Sequence, residues 1–238
     1  LDKSSLQTRL ADVRTALEKA SQKSGLPSGT VMLLAVSKTH PSQMIEWAFE
    51  KGQLQFGENY VQEANAKQKE LSSLPIEWHF IGHLQKNKVK NVVGAFSLIH
   101  SVDSLDLAAK ISQKAHEQNI QQAILLEVNL GDESTKGGFT KESLSLVFHE
   151  LQGLPHLTLA GLMALPPLHD DPELTRPYFR DLKNLFDQLK KQLPDSRKEA
   201  WKFLSMGTTH DFEVAIQEGA NIVRVGTAIF GEREKKNL

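Results

Sequence analysis

The sequence predicts an α/β fold of the TIM type, a single closed (β/α)8 barrel preceded by one extra N-terminal helix. Three observations point there. Eight short apolar runs recur along the 238 residues, with amphipathic stretches between them. Several runs are rich in Val, Leu and Ile throughout, as strands buried on both faces of a parallel sheet must be. Polar and small residues gather at the C-terminal ends of these runs, where a barrel carries its chemistry. Strict alternation also suits an open, doubly wound sheet, but eight units fit closure better.

Taken in order, a helix over about 6–23 precedes a first strand at 31–37. That run ends at Ser37-Lys38, with Pro41 where a first helical turn begins and Gly52 where that helix stops. The second strand spans 54–57, the third 78–82 and the fourth 97–102. Leu105, Ala108, Ile111 and Ala115 then fall on one helical face, with Asp103 as the expected N-cap. The fifth strand is at 123–130 and the sixth at 157–164. The Pro-rich stretch 166–172 reads as a strand–helix connection, and Phe179, Leu182, Leu185, Phe186 and Leu189 mark the helix beyond it. A seventh strand at 202–206 leads into a helix over 210–218, and the eighth spans 222–230. No linker or shift of composition interrupts the series, so residues 1–238 are expected to be one domain.

Composition excludes several function classes. Charge is balanced, 28 Lys and Arg against 29 Asp and Glu, which leaves no electrostatic footprint for nucleic acid or a membrane surface. Cysteine is absent, and with it disulfides, thiolate nucleophiles and Cys-based metal sites. His79, His83 and His100 lack metal-ligand spacing. No stretch approaches a membrane span, and Leu1-Asp2-Lys3-Ser4-Ser5 lacks a signal-peptide core. A cytoplasmic monomer is expected.

Two readings fit Lys38 on its own segment. A lysine at the tip of a buried strand can pack its stem and reach water with its head. Held against apolar walls it is desolvated, its pKa falls, and the neutral amine can form an imine with a carbonyl. The ends of the seventh and eighth strands also carry two readings. Ser205-Met206-Gly207-Thr208-Thr209 and Gly226-Thr227 suit an anion, with hydroxyl donors, close backbone approach and a helix N-terminus. They equally suit helix capping and tight packing. Arg224, inside the apolar Ile222-Val223-Arg224-Val225, needs a partner, either a ligand or an internal acid such as Glu127.

Several longer segments resemble the signatures of the pyridoxal phosphate homeostasis proteins. They are Leu34-Ala35-Val36-Ser37-Lys38-Thr39, Phe56-Gly57-Glu58-Asn59-Tyr60-Val61-Gln62-Glu63-Ala64 and Trp78-His79-Phe80-Ile81-Gly82-His83-Leu84-Gln85-Lys86-Asn87-Lys88, followed by Gly161-Leu162-Met163-Ala164 and the run from Val223 to Gly231. The match runs from residue 34 to 231 in family order. It implies a barrel like the N-terminal domain of alanine racemase that binds pyridoxal 5′-phosphate as an aldimine of Lys38. By the same resemblance, Ser205, Gly207, Thr208, Thr209, Gly226 and Thr227 would seat the phosphate. Arg224 would face the pyridine nitrogen, and Asn59 and Met163 would line the ring pocket. One segment departs from the pattern, because the family usually has Met-Ser where this chain has Thr208-Thr209.

The function this implies is non-catalytic. The chain would hold the cofactor for vitamin B6 homeostasis and pass it to apo-enzymes. Amino-acid racemisation is the alternative, and it needs an acid/base on each face of the adduct. The relatives that racemise take a tyrosine from a separate β-domain, whereas this chain offers only Tyr60 and Tyr178. A Schiff-base aldolase, which would use Lys38 without a cofactor, is a more distant alternative.

Overall fold

The computed structural model describes residues 1–131, 137–167 and 169–232. Its strands are β1 (Met32–Val36), β2 (Gln55–Glu58), β3 (Glu77–Phe80), β4 (Leu98–Val102), β5 (Gln122–Val128), β6 (Leu157–Ala164), β7 (Phe203–Thr208) and β8 (Ile222–Val225). Each pairs in parallel with the next, and β8 pairs with β1 to close a barrel. The helices are α1 (Lys3–Lys23), α2 (Ser42–Phe49), α3 (Val61–Glu70), α4 (Leu105–Glu117), α5 (Lys141–Gly153), α6 (Arg176–Gln192), α7 (Asp195–Lys198), α8 (Phe212–Gln217) and α9 (Thr227–Phe230). The (β/α)8 barrel with its extra leading helix is therefore the fold the sequence predicts.

Residues paired across a sheet point to the same face, so the register sorts inside from outside. Leu34 pairs with Arg224, Glu127 with Met163, and Met163 with Ser205. Inside the barrel Leu34, Leu98, Leu125, Ala160, Met163 and Ile222 pack together as a small core. A larger apolar shell lies between the strands and the helices. The helical face read from the sequence of α6 is buried in it, Phe179, Leu182, Leu185, Phe186 and Leu189 together. Each such side chain contributes about 1.5–3 kcal/mol by leaving water. Helix α1 buries Leu6, Leu10, Val13 and Leu17 and packs on α2, α8 and α9. It thus straps the seam where the first unit meets the last.

The structure corrects several boundaries. The eighth strand stops at Val225 instead of 230, because Gly226 leaves the extended backbone (φ −115°, ψ −75°) and Thr227–Phe230 coils as α9. Its apolar residues continue the strand's composition, and a short apolar run does not declare its period. Ser104, not Asp103, caps α4, its hydroxyl accepting from the Leu107 amide at 3.3 Å. The helix after β7 begins at Phe212, two residues later than the sequence suggests, with Asp211 as its N-cap. A 3-10 turn, Lys86–Asn91, follows β3 in place of an α-helix, since Val89 is the one residue it buries. Leu168, in the 166–172 connection, lies outside the described residues.

Trp201 tests the outer shell. It is fully buried, stacked on Phe186 with ring centroids 5.3 Å apart and edge-on to Phe148 at 5.5 Å, and its indole N–H donates to the Phe186 carbonyl. Trp201→Ala is expected to lower unfolding free energy by about 3–5 kcal/mol, read from urea titration by circular dichroism. Trp201→Phe, which keeps most of the volume, should cost less than half of that.

Candidate functional site at the C-terminal rim

A cavity of about 230 Å³ opens among the strand ends of the barrel. Lys38 enters it from the end of β1 and Asn59 from the end of β2. Thr208 and Thr209 come from the end of β7, Arg224 from β8, and Gly226 and Thr227 from the turn into α9. Seven of the ten site residues expected from sequence therefore share one cavity. Met163, Ser205 and Gly207 are not in its lining. Met163 belongs to the small core inside the barrel, and Ser205 is fully buried and bonded to Arg224. Gly207 has φ +89°, and a Cβ there would stand 2.6 Å from the Ala215 Cβ and 2.9 Å from the Phe212 Cα. Its requirement for glycine is explained by the close approach of α8.

Four lining residues escaped the sequence reading: Val36, Ile81, Leu165 and His210. Ile81 and Leu165 each directly follow a strand, and an apolar residue there looks like ordinary core. His210 falls in the stretch read as helix. Val36 and Ile81 give the cavity an apolar wall beside its polar one.

Arg224 is 4% exposed and is held by neutral oxygens. One guanidinium nitrogen donates to the Ser205 carbonyl at 2.8 Å and its hydroxyl at 2.6 Å, and the other donates to the Ala164 carbonyl at 2.8 Å. The ion pair with Glu127 considered from sequence is not formed. Glu127 and Asp211 act on Arg224 through charge alone, and burial lowers its pKa to about 10, so it stays cationic at neutral pH. The Ser205 hydroxyl lies 3.0 Å from His100 Nδ1, and His100 Nε2 lies 3.0 Å from His79 Nδ1. The arrangement that uses every proton runs one way: Arg224 donates to Ser205, Ser205 to His100, and His100 to His79. Both imidazoles must then be neutral. Burial agrees, taking His79 down to about 4 and His100 well below its ordinary value, with the Arg224 charge adding to the latter.

A second buried cluster flanks Lys38. Lys67 on α3 donates to Glu58 at 2.7 Å, to Glu63 at 2.6 Å and to the Ser37 carbonyl at 2.8 Å. The Ser37 hydroxyl donates to Glu58 at 2.6 Å, and the Thr39 amide donates to Glu63 at 2.6 Å. Burial raises the pKa of Glu58, and the neighbouring Lys67 opposes the rise. A wider groove of about 1150 Å³ runs outside this cluster, lined in part by Thr39, His40, Glu63 and Lys67 but not by Lys38.

Donors and acceptors in the cavity are not all equivalent. The Thr208 amide and hydroxyl both donate to Asp211, at 2.7 and 3.1 Å. That leaves Thr209 and Thr227 as the hydroxyl-bearing residues whose protons are open to a ligand. Asn59 Oδ1 is buried without a hydrogen-bond partner. Gly82 lets the backbone pass close to Asn59, since a Cβ at 82 would stand 2.2 Å from the Asn59 carbonyl oxygen. A buried acceptor beside an amine, a guanidinium and two hydroxyls is equipped to hold a flat, polar, anionic molecule.

Comparison with known proteins gives a consistent picture. The family model for the alanine racemase N-terminal domain matches residues 9–234. The chain is 46% identical over 226 residues to the pyridoxal phosphate homeostasis protein of Aquifex aeolicus, covering 95% of this chain and 97% of that one. It is 37% identical over 228 residues to the protein of the same name from Escherichia coli K12, covering 94% and 95%. Among solved structures it is similar to PipY of Synechococcus elongatus with pyridoxal phosphate bound, with TM-score 0.80, 39% identity and coverage of 91% of this chain and 99% of that one. Alanine racemase of Clostridium difficile shares the fold, with TM-score 0.66 at 16% identity over 94% of this chain and 58% of that one.

The neutral histidines predict a pH dependence of stability. Unfolding returns His79 from about 4 to 6.5, so the unfolded chain binds more protons below about pH 6.5. The contribution of His79 is therefore intact above pH 6.5 and is lost as pH falls towards 4. By pH 5 it amounts to about 2 kcal/mol. Urea unfolding at pH 7 and pH 5 should show this loss in the unaltered chain and a smaller one in His79→Gln.

Proposed function

Because this chain belongs to the alanine racemase N-terminal domain family, and within it to the pyridoxal phosphate homeostasis proteins, we propose that it binds pyridoxal 5′-phosphate at Lys38 and serves the homeostasis of that cofactor. The observation that carries the reading is the meeting of Lys38, Arg224 and the Thr209 and Gly226-Thr227 turns around one cavity. The bound group would supply a reactive aldehyde on an electron-poor ring. Lys38 would supply the amine that binds the aldehyde carbon, the aldehyde oxygen leaving as water. Thr209, Thr227 and the first turn of α9 would hold the phosphate, and Thr208 would line the seat with its protons committed to Asp211. Arg224 would offer the ring nitrogen a donor that keeps its own proton, which would leave that nitrogen unprotonated and the ring a poor electron sink. Asn59 Oδ1, buried without a partner, suits a ring substituent that donates a hydrogen bond. Ser205 would act through Arg224, to which it is bonded, while Met163 stays in the barrel core and Gly207 lets β7 approach α8 closely.

The residues support a carrier over a racemase. Tyr60 is 53% exposed, Tyr178 stacks on His169, and neither lines the cavity. Release follows when an acceptor amine, a free amino acid or the lysine of an apo-enzyme, displaces Lys38. The whole chain acts in this reading as one cofactor-binding domain, in the cytoplasm and as a monomer.

Incubation with pyridoxal phosphate, borohydride reduction and intact-mass measurement test the proposal. A single phosphopyridoxyl addition, mapped to Lys38 and absent from Lys38→Ala, is the expected result. An unmodified mass at excess cofactor would refute it.

A further inference from the structure

The buried charges around Lys38 form a ring that closes on its backbone. Ser37 precedes it and Thr39 follows, and both are tied into one cluster of three side chains from β2 and α3. On one side Glu58 takes the Ser37 hydroxyl proton at 2.6 Å, while Lys67 donates to the Ser37 carbonyl at 2.8 Å. On the other side Glu63 accepts from the Thr39 amide at 2.6 Å. Lys67 joins the two halves by binding Glu58 and Glu63 together. Thr39 has φ +66°, a left-handed conformation that β-branched residues avoid. Its amide bond to Glu63 is what the ring contributes to holding it there.

The ring is built of costly parts. The side chains of Lys67 and Glu58 are 6% and 0% exposed, and Glu58 Oε2 is left without a partner. Tying down a loop needs no buried charges, because neutral hydrogen bonds suffice elsewhere on the same rim, as at Ser101 and the Gly82 carbonyl. Charged hydrogen bonds are shorter, stronger and more directional. Here they are spent on the two residues that bracket a single amine.

We infer that Lys67, with Glu63 as its link to Thr39, is a positioning residue that fixes the direction in which the Lys38 side chain enters the cavity. It touches no cofactor and acts through the backbone at 37 and 39. The inference rests on the Lys38 reading proposed above and deepens it. The ring confers pre-organisation, so its loss lowers affinity for the aldehyde.

Glu63 is the practical handle, because its side chain is 27% exposed and faces the outer groove. Pyridoxal phosphate titration with borohydride trapping gives the concentration for half-modification of Lys38. Glu63→Ala should raise it about tenfold, the equivalent of one charged hydrogen bond. Glu63→Gln keeps an acceptor for the Thr39 amide but gives up its charge, and should fall between Glu63→Ala and the unaltered chain. Nuclear magnetic resonance of the unloaded proteins supplies a second readout. The Thr39 amide should resonate far downfield in the unaltered chain and in Glu63→Gln, and move upfield in Glu63→Ala. Lys67→Met should weaken loading further, and its melting point separates misfolding from mispositioning.

Equal half-modification in Glu63→Ala and the unaltered chain would overturn the inference, as would a loss that Glu63→Gln fails to restore even in part. Failure of the unaltered chain to form any adduct would strike the underlying Lys38 reading, and this role would fall with it.

Discussion

The pairing of β8 with β1 is the constraint on which the rest of the structure depends. Met32, Leu33, Leu34 and Ala35 run in register with Ile222, Val223, Arg224 and Val225. That register sets the end of the first strand beside the end of the last, 186 positions apart for Lys38 and Arg224. Without closure, the amine of one loop and the turn at Gly226-Thr227 would belong to opposite edges of a sheet. With it they become neighbouring walls of one cavity. Helix α1 secures this seam from outside, by packing on the helices of both terminal units.

Among the described residues two cations, Arg224 and Lys67, are buried near the cavity, and they are treated oppositely. Arg224 cannot discard its proton, and it sits among neutral oxygens with carboxylates acting from a distance. Its charge is therefore left available to the cavity. Lys67 is neutralised outright by Glu58 and Glu63 at hydrogen-bond distance, so its charge is spent on geometry. A guanidinium kept for a ligand and an ammonium consumed by its neighbours are two uses of the same desolvated positive charge.

Most of the fold was legible in the sequence, because strand ends in a parallel barrel are written locally. An apolar run followed by Lys38, or by Gly226-Thr227, marks both a boundary and a rim position. Lys38, Thr208, Thr209, Gly226 and Thr227 were singled out that way, Arg224 as a charge inside an apolar strand, and Asn59 by family resemblance. What escaped is non-local or ambiguous in period. The partners of Arg224 sit 19 and 60 positions away, and no local pattern names Ser205 or Ala164 as their carrier. The ring around Lys38 joins residues 37, 39, 58, 63 and 67, of which only the i, i+4 pair Glu63 and Lys67 has a helical signature. The overrun of the eighth strand to 230 has the same origin, since Ala228-Ile229-Phe230 is as apolar in a helix as in a strand.

The line from Arg224 through Ser205 and His100 to His79 has a consequence for time. Ser205 and His100 are wholly shielded from water, and His79 nearly so. The protons that Ser205 and His100 donate along that line lie between side chains and out of reach of solvent. A deuteron placed on the His100 ring during refolding in heavy water stays until the barrel itself parts. Its rate of loss is a clock for opening of the strand cylinder, and it is blind to the comings and goings of the loops above.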